Sequence, residues 1–275
     1  MGDYVRAIIL GAIQALSEFL PISSSGHLLI AERIMGEGIG SLTFDVGLHT
    51  GTLAAVLVYF WRDWVNIIGW GLRDIARHGV RLDHWSGSGR LGLWIAAGTM
   101  PAVVAGLLFN DAIEAHTREA LLVVFTLIGV GLLIDFLDRR GALVRGLEDV
   151  GLGSAMVIGL AQVCALVPGV SRSGITIGAA RGLGFQRAAA ARFSFLLSAP
   201  AVLGAAVLQL SKAARGDEVL SWGPMLVGAV TAAVLGMLVI RGLLSFLQSR
   251  TLRVFLWYRI AVGLSVLVGV LGGQL

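Results

Sequence analysis

Six apolar runs, each close to the length of about 20 residues that an α-helix needs to cross a bilayer, constrain this fold more than any other feature. Glycine and alanine recur in all six, and small residues let helices approach closely in lipid. The sequence therefore predicts six transmembrane helices. They lie at about 46–61, 91–109, 119–137, 190–211, 222–240 and 254–273.

The composition excludes most soluble alternatives. Hydrophobic residues make up 56% of the chain and charged residues only 14%, whereas soluble domains carry roughly 25% charge. Disorder, nucleic-acid binding and a secreted disulfide scaffold are all excluded, and the single cysteine, Cys164, cannot form an internal disulfide. We therefore expect an all-α polytopic membrane protein, with one membrane domain over 1–275 and no nucleic-acid partner.

Two further apolar stretches, at about 4–36 and 152–184, are interrupted by proline, serine and glycine near their middle. They match each other at a constant offset, which indicates an internal duplication. We place repeat 1 at about 1–140 and repeat 2 at about 150–275. The matched pairs are Ala7/Ala155, Gly11/Gly159, Gln14/Gln162, Ser23/Ser171, Ser25/Ser173, Gly26/Gly174, Ala31/Ala179, Arg33/Arg181 and Gly36/Gly184.

The topology follows from counting crossings. If each interrupted stretch is a re-entrant hairpin that enters and leaves on one side, each half adds three spans, so the second half is inverted relative to the first. Inverted repeats with broken helices near the midplane are typical of transport folds. In this topology most of the 21 Lys and Arg residues fall on one side, which the positive-inside rule makes cytoplasmic. Both termini then face the periplasm or exterior.

The first hairpin carries polar groups at its tip. Gln14 and Glu18 are four residues apart and share a helical face. Pro21 ends the inward helix, the serines at 23–25 can cap the returning helix, and Gly26 allows close backbone approach.

The second tip, Pro168–Thr176, repeats the design and adds Arg172. A helix that returns from such a tip points its N–H groups and positive dipole end into the membrane, which favours an anion. The planar guanidinium of Arg172 suits phosphate or carboxylate. The two tips together predict a buried anion site.

Glu18 adds a carboxylate to this anion site, and a carboxylate in apolar surroundings needs a proton, a cation or a metal. A hard divalent cation, magnesium or calcium, would reconcile the two negative groups. Metal, arginine, hydroxyl groups and the His27 imidazole around an anion are the ingredients of phosphoryl chemistry.

Four segments resemble the undecaprenyl-diphosphate phosphatases of the bacterial envelope, the bacitracin-resistance type: Gln14–His27, Phe44–Val46, Thr50–Trp61 and Pro168–Thr176. The resemblance covers essentially the whole chain. It implies two hairpins and six spans, usually in a homodimer in the bacterial inner membrane. It also implies cation-dependent hydrolysis of undecaprenyl diphosphate, which recycles the lipid carrier for cell-wall synthesis.

The resemblance also assigns site residues. It implies catalytic roles for Glu18, Ser24, His27 and Arg172, and a metal held by Glu18 and Gln14. Many members carry a glutamate where this chain has Gln14, which supplies no negative charge. The residues that it places around the substrate are Gln14, Ser23, Gly26, Ser171, Ser173 and Thr176.

Two alternatives stay open at this point. Ser24 could attack the terminal phosphorus, with His27 or Glu18 managing the protons, or water could attack with Glu18 as base. The chain could also be an anion carrier or lipid flippase without chemistry, since inverted repeats with opposed helix N-termini describe those proteins too.

Three further features receive structural interpretations. His49 is interpreted as a packed polar residue rather than a ligand, and Arg259 as a partner of a carbonyl or carboxylate group. The segment 62–90 is predicted to be an arginine-bearing cytoplasmic loop.

Overall fold

The computed structural model describes residues 2–35, 42–117, 120–213 and 222–272, and within these ranges the chain is helical without a β-strand. Three short 3₁₀ segments, Leu82–His84, Leu147–Asp149 and Cys164–Leu166, link longer helices. The α-helices are α1 (Asp3–Phe19), α2 (Ser24–Met35), α3 (Leu42–Tyr59), α4 (Trp61–His78), α5 (Gly87–Thr117), α6 (Ala120–Arg140), α7 (Leu152–Val163), α8 (Arg172–Gly182), α9 (Arg187–Ala213), α10 (Trp222–Phe246) and α11 (Arg253–Leu271). The predicted all-α class is confirmed.

Five helices, α5, α6, α9, α10 and α11, are long and apolar enough to cross a membrane. They contain five of the six predicted spans, although residues 119 and 273 at the predicted ends lie outside the described ranges. The remaining predicted span, 46–61, lies mainly in α3, which qualifies only together with α4 as a pair bent by 74°. Leu107 and Val268 are each 70% exposed, as lipid-facing side chains should be. The chain is a multi-pass membrane protein.

The interrupted stretches form two helical hairpins, α1–α2 and α7–α8. Helix α1 ends where Leu20, held by the following proline, turns to an extended conformation. Helices α7 and α8 have 12 and 11 residues, so each is about 18 Å long or less, well short of the roughly 30 Å hydrocarbon core. Such helices cannot span the bilayer alone, which agrees with the re-entrant arrangement.

The tips of both hairpins share an unusual backbone. Ser23 (φ 80°) and Ser171 (φ 72°) are the two non-glycine residues with positive φ in the described part of the chain. The Ser171 hydroxyl oxygen accepts a hydrogen bond from the Gly174 N–H at 3.1 Å, so this serine caps α8 as predicted. The equivalent positions of the two halves thus turn the chain in the same way.

Packing also recurs between the halves. Helix α1 lies against α10, and α7 lies against α5. A methyl group on Gly11 would collide with the Gly228 carbonyl oxygen, and one on Gly159 with that of Gly98, so both contacts require glycine. This recurrence agrees with the duplication, while the repeat boundaries stay a prediction and the matched residue Gly36 lies outside the described ranges.

The segment predicted as a loop at 62–90 is largely helical, which corrects that prediction. Its arginines lower the mean hydropathy, but they recur at helical spacing on one side of α4. Asp63 accepts a hydrogen bond from Arg192 of α9 at 2.6 Å, which connects the start of α4 to α9. A separate side of α4 exposes an apolar stripe, made of Trp61, Val65, Ile68, Leu72 and Ile75.

A buried ionic cluster holds the far end of α8. Asp138 of α6 accepts hydrogen bonds from Arg181 at 2.7 Å and Arg187 at 2.8 Å, and also from the Leu252 N–H at 3.1 Å. Arg181 is fully buried and also donates to the carbonyl groups of the α6–α7 connection. Four helices therefore meet at one carboxylate, which anchors α8 and, through it, the second tip.

Candidate active site

The two hairpin tips meet inside the bundle. The Ser173 hydroxyl of the second tip donates to the Leu20 carbonyl oxygen of the first at 3.1 Å. In return, the Gly169 N–H donates to the Ser25 hydroxyl oxygen at 3.4 Å. The N-termini of α2 and α8, which start at Ser24 and Arg172, are thereby brought together, as the anion-site prediction requires.

Arg259 of α11 holds both tips from behind. Its guanidinium donates to the Pro21 carbonyl oxygen of the first tip at 3.2 Å and to the Gly169 and Val170 carbonyl oxygens of the second at 3.0 and 3.2 Å. It also donates to two carbonyl groups of α6. Arg259 is 1% exposed, so carbonyl dipoles alone balance its charge at these contacts. The prediction that Arg259 pairs with a carbonyl group is confirmed.

Glu18 lies at the centre of the predicted site residues. Its Oε1 accepts a hydrogen bond from the Arg172 guanidinium at 2.6 Å, which joins the two halves by a buried ion pair. Its Oε2 accepts from the Ser24 hydroxyl at 2.7 Å and from the Gln14 amide at 3.3 Å. Glu18 is 7% exposed, so these donors replace water around the carboxylate.

Arg172 is oriented from α9. Its second guanidinium nitrogen donates to the Ser194 carbonyl oxygen at 3.4 Å. The Thr176 hydroxyl, one turn further along α8, hydrogen bonds with the Ser194 hydroxyl at 2.6 Å and donates to the Arg172 carbonyl oxygen at 2.7 Å. Thr176 therefore supports the position of Arg172 in this structure.

His27 lies beside the first tip, where it contacts α11. Its Nδ1 donates to the Ser23 carbonyl oxygen at 2.7 Å, and its Nε2 hydrogen bonds with the Tyr258 hydroxyl at 2.8 Å. The two rings stack with their centroids 5.6 Å apart. Both nitrogens of His27 thus have partners other than Glu18 and Ser24, so the structure separates His27 from the other three predicted catalytic side chains.

The remaining predicted residues line the two tips. Ser23 and Ser25 hydrogen bond through their hydroxyl groups at 3.2 Å, and Ser171 and Ser173 do so at 3.3 Å, which repeats one arrangement on both sides. Gly26 lies against the Val123 side chain, where a Cβ would make only ordinary contact, so close approach does not demand glycine there.

Sequence reasoning did not place three residues at the site. The His49 Nε2 lies 3.6 Å from Glu18 Oε2, so this packed polar residue lies beside the site, and Ser194 and Tyr258 contact Arg172 and His27. All three belong to helices distant in the chain from the residues that they contact. Local spacing carries no signal for such contacts.

The protein groups that could bind a cation are few. Gln14 is completely buried, and its Oε1 has no hydrogen-bond partner, one turn from Glu18. Among the residues that the structure describes, no three His, Cys, Asp or Glu side chains gather as a metal cluster. Gln14 and Glu18 fit a hard cation only if water or substrate oxygens complete the coordination.

Comparisons with known proteins agree with this picture. A family model described as bacitracin resistance protein BacA matches residues 7–265. The chain is 43% identical over 263 residues to a protein named undecaprenyl-diphosphatase from Desulforudis audaxviator, covering 96% of each chain. Proteins of the same name from Geotalea daltonii and Geobacter sulfurreducens are each 45% identical, over 97% and 96% of this chain and 98% and 97% of their own.

Proposed function

The chain belongs to the family of the bacitracin resistance protein BacA, and from this premise we propose that it hydrolyses undecaprenyl diphosphate to undecaprenyl phosphate and inorganic phosphate. This reaction would recycle the lipid carrier for cell-wall synthesis. The observation that carries the proposal is the chain of contacts from Ser24 through Glu18 to Arg172 between the two tips.

Ser24 and Glu18 have the relation of nucleophile and base. The Ser24 hydroxyl donates to Glu18 Oε2 at 2.7 Å, within the reach needed for proton transfer. In the proposed reaction Glu18 accepts the proton while Ser24 Oγ attacks the terminal phosphorus, and undecaprenyl phosphate leaves. Water then hydrolyses the phosphoserine. Direct attack by water, with Glu18 as the base, uses the same contacts and stays the second route.

Positive groups surround the position proposed for the diphosphate. Arg172 can exchange part of its bonding from Glu18 to phosphate oxygens, and the N–H groups at the starts of α2 and α8 can bind the same anion. Fixed donors in a site without bulk water stabilise charge that develops on the phosphoryl group. His27 is proposed to exchange protons with the leaving group, after its Nε2 releases Tyr258.

Gln14 and Glu18 would hold a divalent cation, magnesium or calcium. The unpartnered Gln14 Oε1 and the Glu18 carboxylate are hard oxygen donors, and substrate phosphates usually complete such sites. A bound cation would neutralise the diphosphate oxygens and stabilise the charge of the leaving group. The Gln14 amide nitrogen donates to Glu18 Oε2 at 3.3 Å, so a flip of the amide would turn its oxygen toward a cation bound there.

The experiment that tests the function is phosphate release from undecaprenyl diphosphate by the detergent-purified protein. We expect release that depends on divalent cations and stops when a chelator is added. Binding of the lipid without release, in the presence of either cation, would favour the carrier or flippase instead.

Arg172→Lys keeps the charge but loses the planar pair of donors. We expect turnover to fall at least tenfold, which corresponds to about 1.4 kcal/mol of transition-state stabilisation. The measurement is kcat for phosphate release, with the exposed Arg250→Lys as the matched control. A near-normal kcat would mean that Arg172 acts only as a structural partner of Glu18.

The proposed setting is the bacterial inner membrane, with both termini outside and the protein as a homodimer. Orientation can be tested in a Cys164→Ser background with single cysteines at the exposed positions 77, 140 and 3. We expect an impermeant maleimide added to intact cells to label Asp3→Cys but neither Arg77→Cys nor Arg140→Cys. Labelling of position 77 or 140 from outside would contradict the orientation.

A further inference from the structure

We infer that His49 of α3 provides a nitrogen ligand to the divalent cation, beside the Glu18 carboxylate and the Gln14 amide oxygen. This inference rests on the proposed function, because it deepens the cation site of the same reaction. It adds a second helix and a third type of donor group to a site that sequence reasoning confined to one face of α1.

A hydrogen bond on the other side of the His49 ring determines which ring nitrogen carries the proton. Nδ1 lies 2.8 Å from the Asp45 carbonyl oxygen, which can only accept, so Nδ1 carries a proton. The neutral ring then has its lone pair on Nε2. Histidines that bind metals almost always donate their other N–H to a carbonyl or carboxylate in this way, which fixes the ring orientation.

The other ring nitrogen, Nε2, lies near the Glu18 carboxylate. It lies 3.6 Å from Glu18 Oε2, which is longer than a hydrogen bond. That oxygen already accepts from Ser24 and Gln14, and the other oxygen pairs with Arg172. The Glu18 carboxylate therefore has a positive partner and hydrogen-bond donors for both oxygens without a contribution from His49. An unprotonated Nε2 at 3.6 Å from Oε2 would place two acceptors next to each other, and a cation bound by both would remove this repulsion.

Gln14 also supports a cation here, through a feature that does not involve His49. Gln14 Oε1 is fully buried and has no hydrogen-bond partner, although a buried polar atom without a partner costs about 1–3 kcal/mol. Its own amide nitrogen donates to the same Glu18 oxygen that faces His49. A flip of the amide would exchange its nitrogen and oxygen, and Oε1 would then face a cation at this point. The carboxylate, amide and imidazole would then supply one donor each, and phosphate and water the rest.

This donor set has a consequence for metal choice. Carboxylate and water oxygens suit magnesium and calcium, whereas imidazole suits first-row transition metals. With one nitrogen and no second carboxylate, the site should bind manganese more tightly than calcium. With His49 as a ligand, a first-row transition cation such as manganese could therefore replace magnesium or calcium in this site of mixed nitrogen and oxygen donors.

The test uses Mn²⁺ as the probe and pulsed electron paramagnetic resonance as the readout. The full-length purified protein is labelled with ¹⁵N-histidine, and a bound imidazole then gives a ¹⁵N coupling to the manganese spin. We expect this coupling in the wild-type protein. We expect His49→Gln to lose it and to bind Mn²⁺ at least tenfold more weakly, as measured by titration of the free-ion signal.

Matched substitutions of other histidines distinguish the loss of a metal ligand from the general effect of replacing a histidine. His84→Gln changes an exposed histidine beside Asp83 and should keep both the coupling and the affinity. His27→Gln should also keep the coupling, because its ring contacts Tyr258 rather than Glu18. A thermal unfolding curve for each variant identifies any that fails to fold.

Each outcome decides the inference. A coupling that persists in His49→Gln, manganese bound without a histidine coupling, or no manganese binding up to millimolar concentration would overturn it. If a protonated His49 instead forms an ion pair with Glu18, manganese would bind without a histidine coupling or would not bind at all. Phosphate release is measured on the same samples. Phosphate release without the ¹⁵N coupling would overturn the role of His49 as a ligand but not the proposed phosphatase. The coupling without phosphate release would refute the phosphatase, and His49 would remain a ligand.

Discussion

Glu18→Gln is expected to lower kcat for phosphate release at least about a hundredfold, the usual contribution of a general base. Glutamine has nearly the same shape but cannot accept the Ser24 proton. It also leaves the Arg172 guanidinium beside a neutral amide, where the buried ion pair stood. The measurement is single-turnover release of phosphate at saturating cation, which separates the chemical step from binding.

The matched control is Glu148→Gln, the same substitution at an exposed carboxylate outside the tips, which should keep wild-type release. Circular dichroism checks that both variants remain helical. A Glu18→Gln protein that keeps more than a tenth of the wild-type kcat would exclude Glu18 as the base, whether serine or water attacks.

Arg259→Leu is expected to lower the free energy of unfolding by about 3 kcal/mol or more, because each buried carbonyl group without a donor costs about 1–3 kcal/mol. The guanidinium donates to five carbonyl groups, so leucine would leave several of these carbonyl oxygens without a hydrogen-bond donor. Activity should fall as well, since the two tips would lose their common support. The measurement is thermal unfolding in detergent together with phosphate release.

Arg250→Leu provides the control, because it removes an exposed arginine shortly before α11. It should unfold within a degree or so of wild type, as surface substitutions usually change stability by less than about 0.5 kcal/mol. An unchanged midpoint for Arg259→Leu would mean that the tips do not depend on the buried guanidinium.

The membrane helices could be predicted because burial in lipid demands uninterrupted apolar runs, and the hairpins because proline and serine interrupt such runs. Helix α4 could not be predicted by the same criterion. Its arginines make it polar on average, and its helical character lies in their spacing rather than in a long apolar run. The 74° bend after α3 lies beside a contact between α4 and α9 that no local pattern encodes.

In the candidate site, too, the contacts within one segment could be predicted, whereas those between distant helices could not. Gln14, Glu18 and Ser24 lie within one short segment, so their proximity follows from helix geometry and one turn. The repeat and the resemblance predict that Glu18 and Arg172 belong to one site, but the ion pair between them follows only from the structure. The His49 contact with Glu18 and the Tyr258 contact with His27 depend on helix packing, which chain order alone does not give.

The positive φ angles at Ser23 and Ser171 place a limit on how stable this protein can become. A non-glycine residue in that region of φ costs about 1–2 kcal/mol, and glycine would remove the cost. Glycine would also delete the hydroxyl groups that bond to Ser25 and Ser173 and cap α8. Selection for thermal stability and selection for a fixed tip therefore act against each other at two equivalent positions. A homologue adapted to heat would have to gain its stability elsewhere in the bundle.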